Sequence, residues 1–275
     1  MPELIVSNHS YAINGILLDK DGTLLDFVSM WGSWSEHMLR HFGSQLVAEL
    51  RQSGRARQLE TGLEPGQELL FTESHLWGTV HGLDGAVIDY DRNGPLAMGT
   101  MEELFTLLTW RGYRAGLSWA KAKELAELSG RLADAELERA RPVRPIAGVL
   151  AFLKACHAQH IPLGVVTADD TLAAEKHLEW LGIRHLFGAV VGTDQVGRGK
   201  PFPDMLELAC GKLSIDVQGA AVIGDTNGDM IMGQAAGARI CIGLHSKQAG
   251  AAELLPDADY IIGAYEELRL KGAAE

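Results

Sequence analysis

Ile13-Asn14-Gly15-Ile16-Leu17-Leu18-Asp19-Lys20-Asp21-Gly22-Thr23-Leu24 is the stretch that decides the fold. An apolar run ends on two carboxylates two residues apart, and Gly22 permits a sharp turn directly behind them. If extended geometry persists past Leu18, Asp19 and Asp21 point to the same side. Two like charges that close are costly unless a cation binds or one takes a proton. Taken alone, Asp21-Gly22 also reads as an ordinary acidic turn after a strand.

Working outward, the same kind of run recurs. Ile161–Val166, Ala189–Val191, Ala220–Ile223, Arg239–Ile242 and Tyr260–Ile262 are short and apolar. Helical patterns separate them over Val149–His160, Leu172–Leu181, Pro203–Leu213 and Met230–Ala236, with Gly182, Gly211 and Gly237 marking helix ends. Strands that read as continuous apolar runs are buried on both faces, and their alternation with helices predicts a doubly wound, Rossmann-like parallel α/β sheet. Residues 1–26 and 143–275 form this core, and residues 27–142 interrupt it after its first strand. The insertion reads as mainly helical. Trp31, Trp34, Met38, Phe42 and Leu46 recur at three- and four-residue intervals, as do Ala122, Leu125, Ala126 and Leu128. Gly78–Pro95, rich in Gly, Asp and Asn, is expected to hold loops. Arg141–Pro145 reads as the hinge back to the core, and Asp26 as a cap for the first insertion helix.

Composition narrows the partners. A net charge of −12 speaks against nucleic acid, which rewards clustered Lys and Arg, but leaves room for a small phosphorylated substrate. The three cysteines, Cys156, Cys210 and Cys241, lie far apart in apolar stretches and read as buried free thiols. Met1-Pro2-Glu3-Leu4 lacks a basic region followed by an apolar core, and no run approaches the length of a membrane span. The expected location is therefore a reducing cytoplasm, away from membranes, and the expected assembly a monomer or homodimer.

Ligands of open parallel sheets bind beyond the carboxyl ends of the strands, so the residues after each run matter most. Gly224-Asp225-Thr226-Asn227-Gly228-Asp229 offers two more carboxylates, which could flank a metal or, for Asp225 and Asn227, cap a helix. Oxygen ligands from two strand ends favour a hard cation such as magnesium. After Val166, Thr167 and the N–H of Ala168 could hold phosphate oxygens, although Asp169 or Asp170 as a plain helix cap is the simpler reading of that stretch. Lys200 could balance the carboxylates and a phosphate, or sit exposed like most lysines. Asp204 reads as a first-turn helix residue.

Together, Asp19-Lys20-Asp21-Gly22-Thr23, Thr167, Lys200 and Gly224-Asp225-Thr226 with Asp229 resemble the four motifs of the haloacid dehalogenase superfamily of phosphohydrolases. The helical insertion matches the position of that superfamily's first cap type, and within it the chain is similar to phosphoglycolate phosphatase-like and sugar-phosphate phosphatase members. The resemblance implies that Asp19 is the nucleophile and Asp21 the acid and base. It implies that Thr167, Ala168 and Lys200 hold the phosphoryl group. Mg2+ would bind Asp19, the backbone carbonyl of Asp21 and Asp225, with Asp229 as ligand or just behind. The implied activity is hydrolysis of a small phosphomonoester, phosphoglycolate or a sugar phosphate, through an aspartyl-phosphate. A β-phosphoglucomutase-like mutase shares every core residue, and a non-catalytic phosphoryl-binding module shares the fold. A dehalogenase proper needs neither Asp21 nor the magnesium cluster. A phosphonate hydrolase needs a cap lysine, whereas Lys121 and Lys123 read as solvated helix residues. In the insertion, which is expected to close over the site, His37, Arg40, His75, His81 and Arg92 are the polar candidates for substrate contact. Trp31 and Trp34 read as packing.

Overall fold

The structure, a computed structural model, describes residues 1–53, 74–245 and 255–271. In chain order the strands are β1 (Glu3–Val6), β2 (His9–Ala12), β3 (Gly15–Leu18), β4 (Thr79–His81), β5 (Val87–Tyr90) and β6 (Leu163–Val166). β7 (Ala189–Val191), β8 (Ala220–Gly224), β9 (Ile240–Leu244), β10 (Tyr260–Ile262) and β11 (Arg269–Lys271) follow. The helices are α1 (Ser33–Gln52), α2 (Ser74–Trp77), α3 (Pro95–Met98), α4 (Met101–Arg114) and α5 (Trp119–Ala140), then α6 (Val149–Ala158), α7 (Thr171–Trp180), α8 (Asp204–Leu213) and α9 (Asn227–Ala236). These elements fall into two compact units, one made of Met1–Asp26 with Val143–Glu275, the other of Phe27–Pro142.

The first unit is built on a six-stranded parallel sheet in the order β10-β9-β8-β3-β6-β7. Its apolar strands are buried on both sides because each face has its own helices. Ile16 and Leu18 pack in one core with Val149, Phe152 and Leu153 of α6 and Ala174 and Leu178 of α7. Leu17, pointing the other way, belongs to a second core with Met205 and Leu206 of α8 and Met230 and Met232 of α9. β3 enters the sheet first and stays central: β6 and β7 extend on one side, β8, β9 and β10 on the other. The strand order thus reverses at β3, and a crevice opens there beyond the carboxyl ends. Leu18 pairs with both Val165 and Ile223, so β3, β6 and β8 finish level and deliver Asp19, Thr167 and Asp225 to one edge.

Three expectations are corrected. No strand was expected before Ile13 or after Ile262, yet β1, β2 and β11 form a separate antiparallel sheet in the order β11-β1-β2. Its turn places Ser7 and Asn8 at φ 47° and 67°, the form for which Asn-Gly is the usual signal, and the three- and four-residue strands leave little alternation to read. Gly78–Pro95 is not simply loop: β4 and β5 pair as a hairpin, Thr79 opposite Tyr90, with a register shift between Val80 and His81. The Gly and Asp content belongs to the hairpin connection. Gly211 does not end a helix, because α8 runs on to Leu213 and Ser214 takes the left-handed position at φ 56°. Gly182 and Gly237 do adopt positive φ just past α7 and α9, at 72° and 79°.

In the second unit α1, α4 and α5 pack closely. A Cβ on Gly112 of α4 would lie 2.8 Å from Ala122 Cβ of α5 and 3.1 Å from Phe42 Cζ of α1, so only hydrogen fits there. α1 follows a π-helical turn over Val28–Gly32, and the helical run starts at Phe27, one residue after Asp26. Trp34 is fully buried, meets Trp31 edge-on at 5.6 Å and donates its indole N–H to Asp134 at 2.8 Å. The tryptophans are packing, as read.

Candidate active site

Asp19 extends the sheet by one rung, its N–H donating to Ile223 O at 2.9 Å. The chain then turns: Leu24 and Leu25 N–H both donate to Lys20 O, and Gly22 sits at φ 82°, a conformation that costs a residue with a Cβ far more. Tyr265, fully buried, donates its hydroxyl to Thr23 O at 3.1 Å and props this turn from below.

Beyond β8, Thr226 caps α9 in a reciprocal box with Asp229. The Thr226 hydroxyl donates to Asp229 Oδ2 at 2.6 Å and accepts from Asp229 N–H at 3.4 Å, and Thr226 N–H donates to the same Oδ2 at 3.1 Å. The helix cap is therefore Thr226, neither Asp225 nor Asn227. With Oδ2 committed, Asp229 turns Oδ1 toward Lys200 Nζ at 2.5 Å. Gly224 makes room: a Cβ there would lie 2.4 Å from Asp229 Cβ and Cγ.

Three carboxylates converge at this edge. Oxygens of Asp19, Asp225 and Asp229 all lie within 4.8 Å of one another, and all three residues are buried. Thr23 Oγ1 lies 3.4 Å from Asp225 Oδ1. Lys200, its side chain 6% exposed, contacts both Asp19 and Asp229. Burial opposes the Lys200 charge, but Asp19 and Asp229 outweigh it and hold the ammonium above its ordinary value. Burial drives the Asp19 pKa well above the ordinary carboxylate value; Lys200 pulls it down, while Asp229, Asp225 and Asp21 push it further up. One ammonium does not balance three buried carboxylates, and an all-oxygen donor set of this charge fits a hard divalent cation.

The other predicted residues are placed as follows. Thr167 is buried at the end of β6, its N–H bonded to Val191 O at 3.0 Å, and its hydroxyl accepts from Asp169 N–H at 3.2 Å. Ala168 is half-buried beside it. Asp170 takes the cap position of α7 without a side-chain bond. Asp204 begins α8 and pairs with Arg198 at 2.9 Å. Asp21 does not join the carboxylate triad with its side chain. Both of its oxygens lie 2.7 Å from Lys20 Nζ.

That last contact belongs to a group absent from the sequence reading. Lys20 is fully buried, and its ammonium also meets His177 Nδ1 at 3.3 Å and Asp169 Oδ2 at 3.4 Å. Burial opposes the Lys20 charge, yet Asp21 and Asp169 more than compensate and raise its pKa. The three cysteines are free and buried, and burial pushes the thiols of Cys156 and Cys241 up to about 12, which leaves them inert.

In the helical unit the predicted polar residues are engaged locally. Glu136 accepts from Arg40 at 2.9 Å and lies 2.5 Å from His37 and 2.9 Å from His41. His81 ties its own hairpin through Thr79 and Gly85, and Arg92 lies 4.5 Å from the centre of the Tyr90 ring. The side chain of His75 lies outside the described residues. Lys121 pairs with Glu124 at 3.2 Å, and Lys123 is 64% exposed on its side chain, as solvated helix lysines are. No helix among the described residues is long and apolar enough to cross a membrane.

The chain is similar to several known phosphatases. Validoxylamine A 7'-phosphate phosphatase of Streptomyces hygroscopicus subsp. limoneus is 32% identical over 124 residues, 45% of this chain and 57% of that protein. Pyrophosphatase PpaX of Halalkalibacterium halodurans is 28% identical over 126 residues, 46% of this chain and 59% of that one. Phosphoglycolate phosphatase of Yersinia pestis is 32% identical over 121 residues, 44% and 52% respectively. The chain thus matches little more than half the length of these relatives. Among solved structures, a haloacid dehalogenase phosphatase from Thermococcus onnurineus superposes with a TM-score of 0.57 at 17% identity, covering 93% of this chain and 95% of that one. β-Phosphoglucomutase from Clostridium difficile gives 0.56 at 15%, covering 92% and 91%. At such identities the likeness speaks for the fold alone. The family model of the haloacid dehalogenase-like hydrolases, however, matches residues 13–237. That span holds β3, β6 and β8 with every residue they bring to the edge, and the chain belongs to this family.

Proposed function

We propose that the chain is a magnesium-dependent phosphatase that hydrolyses a small phosphomonoester through an aspartyl-phosphate on Asp19. The observation that carries this reading is the triad of buried carboxylates, Asp19, Asp225 and Asp229, two of them, Asp19 and Asp229, paired with the Lys200 ammonium, where the strand order reverses. The phosphatase names of the relatives support the reaction class.

Asp19 and Asp225, with the Asp21 carbonyl and Asp229 beside them, would hold the magnesium ion. When bound, the ion offsets the repulsion between an anionic nucleophile and an anionic phosphate. The residues do the rest. The Asp19 carboxylate needs no base to be nucleophilic. Its oxygen attacks phosphorus while the bond to the leaving oxygen breaks, and the protonated Asp21 supplies the proton that oxygen takes. Water then attacks the phosphorus of the acyl phosphate and gives its proton to Asp21, restoring free Asp19 and releasing inorganic phosphate. Thr167, the N–H of Ala168 and Lys200 steady the phosphoryl oxygens in line. Phosphoglycolate or a sugar phosphate is the substrate class, with the protein working as a monomer or homodimer.

The test is chemical. The wild type should release phosphate from p-nitrophenyl phosphate with Mg2+ and not in EDTA, and acid quench should trap an acyl-phosphate that hydroxylamine cleaves. Asp19→Asn should lose both turnover and the trapped phosphate. Normal turnover by that variant rejects the nucleophile, and transfer of the phosphoryl group to an added sugar phosphate instead of to water identifies a mutase.

A further inference from the structure

We propose that Lys20 is a positioning residue that fixes the carboxyl of Asp21 and locks it to the loop carrying Thr167 and Ala168. This rests on Asp21 being the acid and base. The ammonium lies 2.7 Å from both oxygens of Asp21, so it sits astride the carboxylate and sets its plane. It is braced from beneath by His177 Nδ1 at 3.3 Å and Asp169 Oδ2 at 3.4 Å, both on buried residues. Asp169 in turn donates its N–H to Thr167 Oγ1 at 3.2 Å. Acid, brace and phosphate loop therefore form one connected polar block, with Lys20 enclosed completely at its centre.

The chemistry explains why a lysine serves. An ammonium has three donors and no acceptor. A protonated Asp21 can offer it only the carbonyl oxygen, because the O–H has nothing on Lys20 to donate to. Protonation of one Asp21 oxygen therefore gives up one of its two contacts with Lys20, while the other contact keeps the carboxyl in place. Once that proton passes to the leaving oxygen, both oxygens are acceptors and the ammonium holds the carboxylate in place. The oxygen that gave up its proton then receives the proton of the attacking water. No other atom changes bonding, and Lys20 keeps all its protons throughout.

Rapid quench with p-nitrophenyl phosphate and Mg2+ reads this directly, because nitrophenolate leaves without a proton whereas hydrolysis of the acyl phosphate needs Asp21. Lys20→Met should keep a nitrophenolate burst close to the wild-type rate and then turn over about 10- to 100-fold more slowly, with phosphoenzyme accumulating. The double variant with Asp21→Asn should be no slower than Asp21→Asn alone, since the lysine acts through that residue. Unchanged steady-state turnover in Lys20→Met beside an impaired Asp21→Asn overturns this inference only. Multiplying losses in the double variant do the same. A fully active Asp21→Asn removes the acid and base assignment, and this inference with it. If Lys20→Met gives no cooperative melt, His177→Gln decides, since it removes one brace and leaves Lys20 and Asp21 intact. It should show the same split at about 2- to 5-fold, and wild-type kinetics there count against the proposal.

Discussion

To act as a nucleophile Asp19 must be ionised, yet burial first, then Asp229, Asp225 and Asp21, push its pKa well above the ordinary value. A carboxyl whose folded pKa is raised favours the folded state when protonated, and that advantage is lost as pH rises past the unfolded value of about 3.9 toward the folded one. Metal-free wild type should therefore melt below metal-free Asp19→Asn at neutral pH, and the gap should shrink as pH falls toward 4. Added Mg2+ should raise the melting temperature of the wild type more than that of the variant. Paired thermal melts from pH 4 to 8, with and without the ion, check this; a wild type that melts higher without metal contradicts it. At this scale the sequence was legible where chemistry clusters. Asp19, Thr167 and Asp225 stand out as polar residues just after apolar runs, and Asp21 and Asp229 as second carboxylates a little further on. Lys200, which alone reads equally as an exposed lysine, is picked out only by the resemblance of the whole set. Lys20 does not stand out, because a lysine after a strand usually reaches solvent, and the partner that helps enclose it, His177, lies 157 residues away. Tyr265 is equally silent: only the folded chain brings its hydroxyl under Thr23.

The elements that carry these residues differ in how plainly they announce themselves. β3, β6, β8 and β9 are apolar on both faces, a pattern only a covered sheet requires, and each was legible. β1, β2, β4, β5 and β11 are three or four residues long and pair antiparallel, so their alternation is too brief to separate from a loop. At the start of α9, one hydroxyl serves both helix and site. Thr226 caps the helix and fixes Asp229 Oδ2, which leaves Oδ1 for Lys200. Thr226→Val should cost about 1 kcal/mol through the lost cap, and Thr226→Ser close to nothing. The same valine should weaken Mg2+ binding measured by calorimetry, because Asp229 loses the bonds that orient it. Gly224→Ala should do so more severely, since its methyl needs the space Asp229 occupies. Full Mg2+ affinity in the valine variant would mean that the cap and the carboxylate cluster are independent.

For the whole molecule, the question is how a domain tolerates 116 residues, Phe27–Pro142, placed after its first central strand. The core unit closes the gap by itself. Leu25 bridges Pro145, Asp26 N–H donates to Arg144 O at 2.7 Å, and Ile146 N–H donates to Leu24 O at 3.0 Å. The chain therefore leaves and re-enters the core at neighbouring points, and the order reversal at β3 is completed by strands that all belong to the core. Both apolar layers, around Ile16 with Leu18 and around Leu17, are likewise supplied within that unit. A chain joining residues 1–26 to 143–275 through a short Gly-Ser linker should fold on its own. It should melt cooperatively and gain stability from Mg2+ as the full chain does, because Asp19, Asp225, Asp229 and Lys200 all remain. Circular dichroism and a thermal melt with and without the ion measure this. A shortened chain with no cooperative transition would mean that the sheet depends on the helical unit for stability. A folded one that ignores Mg2+ would mean that the carboxylate cluster is set by residues outside the core.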